Sequence, residues 1–237
     1  KPGAVMLGLE PSFVMYRVAA TYAGMGYVDV ALKSDFTLDL AATLAAVRTH
    51  RPAVSFIAYP NNPTGTLFDA AAVREIIAAA APGLVVIDEA YFAFADASFL
   101  PELARHPNLV VMRTVSKLGL AGIRLGFVCG SGYWVDEFDK LRMPYNINVL
   151  TQTVATHLLR NPCALYDQAE ALTVARGQLS AELARLPGVT VFPSAANFIL
   201  LRVADAGAVF DGLVQRGILV KNLSKAHGLL NNCIRVT

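Results

Sequence analysis

Four stretches constrain this chain more than anything else in it. Ala53–Tyr59 (AVSFIAY), Leu84–Asp88 (LVVID), Leu109–Arg113 (LVVMR) and Leu125–Cys129 (LGFVC) are almost uninterrupted apolar runs of strand length. A strand with one wet face alternates polar and apolar residues. A strand without alternation has both faces covered, which is the condition of a parallel sheet under helices. Helical patterns fall between the runs. Leu38–Arg48 is one; Ala70–Ala81 is another, with Asp69 placed as its N-cap and Pro82-Gly83 as its stop. Strand and helix in alternation predict a doubly wound α/β domain.

The rhythm changes near residue 148. Asn148–Leu186 reads as helix broken at Asn161-Pro162. Strands follow at Val189–Phe192 and Asn197–Val203, then a helix at Ala206–Arg216, then strands at Ile218–Lys221 and Cys233–Val236. The expected layout is a large α/β domain over residues 1–147, then connecting helices and a smaller α+β domain over 148–237. Lys1-Pro2-Gly3 leads at once into the strand-like Ala4–Leu7, and the strand-like Cys233–Thr237 lies at the other end. Both ends therefore read as lying inside a fold.

Hydrophobic residues make up 55% of the chain and charged ones 16%. Typical soluble chains have about 45–50% and 25%, so disorder is excluded and some apolar surface is expected to meet a partner subunit. With 20 basic and 18 acidic residues, net +2 and no basic cluster, nothing marks a nucleic-acid partner. The longest apolar stretch, Ala70–Ile87, carries Arg74, Glu75, Pro82 and Gly83, so no membrane span is expected. Cys129, Cys163 and Cys233 are odd in number, far apart and without zinc spacing. They read as three small buried apolar residues in a reducing compartment, the cytoplasm, with no metal site.

In open α/β sheets ligands bind at the carboxyl ends of the strands. Three successive strand ends here are polar. Pro60-Asn61-Asn62-Pro63-Thr64-Gly65 follows the first run and Asp88-Glu89-Ala90-Tyr91 the second. Arg113-Thr114-Val115-Ser116-Lys117, with Gly119, Gly122 and Arg124, follows the third. Taken singly they are a turn, a helix cap and a solvated loop. Taken together, PNNPTG, DEAY and SK…GxR in this order resemble the fold-type I pyridoxal-phosphate (PLP) aminotransferases. Glu10–Tyr16 (EPSFVMY), Arg113–Gly126, Pro144–Gln152 (PYNINVLTQ) and Phe192–Leu200 (FPSAANFIL) are similar, more narrowly, to the histidinol-phosphate aminotransferases.

The resemblance implies pyridoxal 5'-phosphate as cofactor and a ping-pong transamination. Lys117, Asp88 and Tyr91 form the implied catalytic set. Lys117 carries the cofactor and then shuttles a proton; Asp88 faces the ring nitrogen and holds it protonated. Asn62 and Tyr91 donate to the ring oxygen, Ser116 and Arg124 bind the cofactor phosphate, and Phe13 covers the ring. Arg235, in an otherwise apolar strand end, reads the anionic end of the substrate. Lys221 stands where many relatives have a second arginine, and it keeps the charge without the planar fork. Tyr145 and Asn146 match a loop near the active site and dimer seam. Between Lys117 and Arg124 the loop is one residue tighter than in many relatives. His50, His106, His157 and His227 match no catalytic position and read as structural or solvated.

Implied substrates are histidinol phosphate or imidazole-acetol phosphate and glutamate or 2-oxoglutarate, in histidine biosynthesis by a cytoplasmic homodimer. Relatives also have a glycine-rich, phosphate-binding segment ahead of residue 1, so the chain as given is expected to be a poor catalyst. The alternatives are an aromatic amino-acid aminotransferase, a threonine-phosphate decarboxylase, or a truncated inactive chain. A dinucleotide-binding reading lacks a G-x-G-x-x-G after a strand.

Overall fold

The computed structural model of the protein describes residues 3–237. Lys1 and Pro2, the lead-in to the expected first strand, lie outside them. The first half holds β1 (Val5–Glu10), α1 (Met15–Tyr22), β2 (Gly26–Ala31), α2 (Leu40–His50), β3 (Val54–Ala58), α3 (Ala70–Ala80), β4 (Leu84–Asp88), β5 (Leu109–Thr114) and β6 (Gly126–Gly130). These strands form one sheet in the order β2-β1-β3-β4-β5-β6. All neighbours are parallel except β5 and β6, which are antiparallel.

The parallel core follows from the apolar runs. All five residues of β4 are buried, and Leu7, Ile57, Ile87 and Val111 meet Val73, Ile76 and Ile77 in one cluster. Asp69 caps α3 as expected, accepting from the Ala72 N–H at 2.8 Å. β6 departs from the expectation. Its apolar composition predicts a buried parallel strand, yet it runs antiparallel at the sheet edge, with Phe127 43% and Val128 41% exposed. Residues 115–125 explain the reversal: a parallel return needs a crossover of about a dozen residues or more, usually helical, and this link holds only short 3-10 turns. α1 and β2 had no sequence signal strong enough to be read. β2 is an edge strand with a mixed burial pattern, paired with β1 alone.

The second half holds α4 (Gly132–Asp139), α5 (Val149–Arg160), α6 (Cys163–Leu183), β7 (Thr190–Val191), β8 (Ile199–Arg202), α7 (Ala206–Gln215), β9 (Lys221–Asn222) and β10 (Cys233–Val236). The break at Asn161-Pro162 separates α5 from α6, and Asn148 caps α5 through the Thr151 N–H at 2.9 Å. The second sheet, β7-β8-β10-β9, is antiparallel throughout. Ile218 and Leu219, expected in a strand, are exposed, and the strand begins at Lys221. Leu200, Leu223, Leu230 and Cys233 of this half join the same cluster as Leu7 and Ile87. Among the cysteines only Cys233 is buried; Cys163 is exposed at the start of α6, against the expectation of three buried thiols.

Candidate active site

The ends of β3, β4 and β5 open on one side of the sheet, and the structure brings most of the expected residues there. Asp88 ends β4 and is 7% exposed. Its Oδ1 accepts from the Ala90 N–H at 3.0 Å and its Oδ2 from the Tyr16 hydroxyl at 2.6 Å. Burial pushes the Asp88 carboxyl above the usual range, while these two donors and the Lys117 charge pull it back. Tyr16 is raised in turn, first by burial and then by the Asp88 charge. Its ring stacks on Phe56 at 4.8 Å and meets Phe13 edge-on at 5.7 Å. Tyr16 has no assigned role at the level of sequence; the available signal is its place one helical turn after Phe13.

The loop after β3 is fixed from inside. Asn61, fully buried, donates through Nδ2 to the Pro11 carbonyl and to Thr64 Oγ1, and accepts from Ser12 Oγ. Gly65 has φ +77, and a Cβ there would fall 2.3 Å from Ser194 Oγ, so the turn requires glycine. This holds Asn62 at the cleft. Its Oδ1 accepts from Arg235 Nη1 at 2.7 Å, which leaves the amide N–H groups for another partner. Arg235 also lies 4.8 Å over the Phe198 ring, and its Nε is buried without a partner.

Tyr91 packs edge-on against Phe198 at 5.2 Å, and burial raises its hydroxyl while the Arg235 charge lowers it. The Lys117 ammonium is 5.3 Å from the Tyr91 ring centre. Ser116 and Lys117 sit in a 3-10 turn ending at Gly119, which has φ +84. Arg124 closes the loop at φ +57, a left-handed conformation that non-glycine residues adopt mostly under local constraint.

Beneath these residues lies a buried ion pair. Glu89, fully buried, accepts from Arg113 Nε at 2.9 Å and Nη2 at 2.7 Å, from Ser98 Oγ and from the Phe99 N–H. A buried carboxylate is tolerated only when its lone pairs are filled in this way. The pair joins the ends of β4 and β5, hence Asp88 to the Ser116-Lys117 turn.

Three adjoining clefts share Phe13 and Lys117. The inner one adds Tyr16, Asn62, Asp88 and Tyr91. The second adds Thr114, Ser116 and Arg124. The outer one adds Glu10, Arg17, Lys221, His227 and Arg235. Tyr145 and Asn146 line none of the three. Tyr145 is 98% exposed, and Asn146 accepts a long bond from Arg142 at 3.5 Å.

The aminotransferase class I and II family profile matches residues 1–237. The chain belongs to this family. Histidinol-phosphate aminotransferase 1 of Burkholderia lata is 57% identical over 237 residues, covering all of this chain and 66% of that protein. This chain thus spans about two thirds of the length of the curated relatives it matches. The crystal structure of histidinol-phosphate aminotransferase from Sinorhizobium meliloti in complex with pyridoxal-5'-phosphate superposes with TM-score 0.87 at 28% identity, over 100% of this chain and 66% of that one. The Clostridium acetobutylicum histidinol-phosphate aminotransferase gives TM-score 0.90 at 22% identity, over 98% and 72%, and shares the fold. The fold is therefore that of the class I and II aminotransferases, as the resemblance of the strand-end motifs implied, and it carries the mostly parallel sheet under helices that the apolar runs predicted. Among the described residues no helix is long and apolar enough to cross a membrane.

Proposed function

We propose that this chain carries the catalytic site of a pyridoxal-phosphate-dependent transaminase that exchanges the amino group of histidinol phosphate with 2-oxoglutarate. The observation that carries the reading is Lys117 at the junction of three clefts, one lined by a buried carboxylate, one by a hydroxyl and an arginine, one by Lys221 and Arg235, which among the described residues have no carboxylate partner. The donor set fits the cofactor. Asp88 offers a buried acceptor for a ring N–H, the free amide of Asn62 and the Tyr91 hydroxyl suit a phenolate oxygen, and Ser116 with Arg124 suits a phosphate. Phe13 supplies an apolar cover.

When bound, pyridoxal phosphate supplies an electron-withdrawing ring that stabilises charge at the substrate's α-carbon. Lys117 Nζ takes the proton from that carbon and returns one on the other side of the transfer. The Tyr16 hydroxyl and the Ala90 N–H favour the charged form of Asp88, which would then hold a ring N–H in place. Arg235 and Lys221 orient the substrate by its anionic end. The names of the relatives support histidinol phosphate as the donor.

A donor screen on the loaded protein tests the substrate. Histidinol phosphate is expected to give the keto product at least tenfold faster than tyrosine or phenylalanine. Preference for an aromatic amino acid, or CO₂ released from threonine phosphate, would replace this reading. The assembly we propose is a cytoplasmic homodimer. Leu141, Met143, Tyr145, Val149 and Leu150 are all at least 71% exposed, and such apolar surface is uncommon on monomers. Sedimentation is expected to give twice the chain mass, and a monomer at micromolar concentration would sink that assembly.

A further inference from the structure

The outer cleft holds an unbalanced set of charges. Lys221 of β9 and Arg235 of β10 are paired residues in the antiparallel register, so their side chains rise from the same face. Like charges in direct cross-strand opposition are destabilising. Among the described residues neither has a carboxylate within ion-pair distance. Glu10, the one acid lining the cleft, is engaged on the first-sheet wall by the Tyr27 hydroxyl and the Ser12 N–H. Arg235 spends Nη1 on Asn62 and keeps a buried Nε without a partner. The pair is arranged for an anion.

His227 lines the same cleft. Its Nδ1 accepts from the Leu229 N–H at 3.1 Å. A nitrogen that accepts carries no proton, so the neutral ring bears its proton on Nε2 and is a donor there. Among the described residues Nε2 has no protein partner, and the ring lies on the loop that joins β9 to β10.

We propose that His227 is the third member of the anion-reading set, donating Nε2–H to one oxygen of a phosphate monoester held by Arg235 and Lys221, and that it favours phosphate over carboxylate. A carboxylate has two oxygens in one plane, which a guanidinium fills. A phosphate has a third terminal oxygen outside that plane, and a separate donor is needed to read it. The inference rests on the functional reading above for its substrate class, and it adds a residue which that reading leaves unused.

The test is calorimetric titration of the pyridoxal-phosphate-loaded protein with inorganic phosphate and, separately, acetate. Loading fills the cofactor's own phosphate contacts. His227→Ala is expected to weaken phosphate about tenfold and acetate less than twofold. His227→Gln, which keeps an N–H donor on a side chain of similar reach, is expected to recover most of the loss. Phosphate affinity within twofold of the unmutated protein, equal loss of both anions, or no phosphate binding by the unmutated protein would each overturn the proposal. Imidazole ¹⁵N spectra give a second measurement that needs no cofactor: the Nε2–H tautomer is expected at His227, and an Nδ1–H tautomer overturns the assignment. Neither experiment reads turnover. A protein that binds phosphate through His227 yet fails to transaminate histidinol phosphate would sink the functional reading alone.

Discussion

Lys117→Ala is expected to lower amino transfer by at least about 10³-fold, because the change removes the amine proposed both to hold the cofactor and to move the proton. Single-turnover amino transfer measures the loss. The visible absorbance that appears on adding pyridoxal phosphate to the unmutated protein is expected to vanish in the variant. The thermal midpoint without cofactor is expected to stay within a degree or two, since Lys117 is exposed and packs only loosely over Tyr91. Lys117→Arg keeps the positive charge but not a nucleophilic amine, so it is expected to be equally inactive. Residual transfer above a tenth of the unmutated rate would remove Lys117 from its assigned role.

Asp88 gives the second large effect, and here function and stability part. Asp88→Asn removes the charge that a protonated ring nitrogen needs, and a loss of at least about 10²-fold is expected, as for other single electrostatic contacts made at a reacting centre. The folded protein without cofactor should not suffer. Burial raises the Asp88 carboxyl above its unfolded value. In the window between the two values the folded state binds more protons than the unfolded one, so stability falls as pH rises through it. At neutral pH Asp88 is thus a net cost, and Asp88→Asn is expected to be at least as stable there as the unmutated protein. Tyr16→Phe has the opposite sign. It deletes a donor that favours the charged carboxylate, with a loss of about 1.5–3 kcal/mol, larger at pH 7 than at pH 4. Urea melts at both values check this; equal losses would show that the Tyr16 hydroxyl acts on packing and not on the charge of Asp88.

Tyr16 also shows where the sequence runs out. The β4 strand, the α3 cap at Asp69 and the three polar strand ends were legible, because continuous burial, a capping side chain and a loop motif are each local in the chain. Asp88, Asn62, Tyr91 and Lys117 could be proposed together for the same reason. The Tyr16–Asp88 bond spans 72 residues, and α1 carries no cap or charge pattern that advertises it. Glu89 and Arg113 were visible within their motifs, but only the fold makes them one buried pair. β6 has the composition of a buried parallel strand, but the link before it is too short for a helical crossover, so it runs antiparallel. His227 reads in the sequence as structural or solvated, and only the fold shows that its cap to Leu229 fixes the other ring nitrogen as a donor.

The bond from Arg235 to Asn62 closes 173 residues of sequence. Leu200, Leu230 and Cys233 complete a cluster begun by Leu7. Contacts of such separation come late in folding, after the entropy of closing long loops has been overcome. The cleft proposed for the cofactor ring would therefore assemble only once β10 has docked. A chain in which β10 has not yet docked would display β3, β4 and β5 with an unfinished core, and transiently exposed apolar surface of that kind is prone to aggregate. Closure of the proposed cleft is then tied to the docking of β10, reported by the arrival of a single arginine.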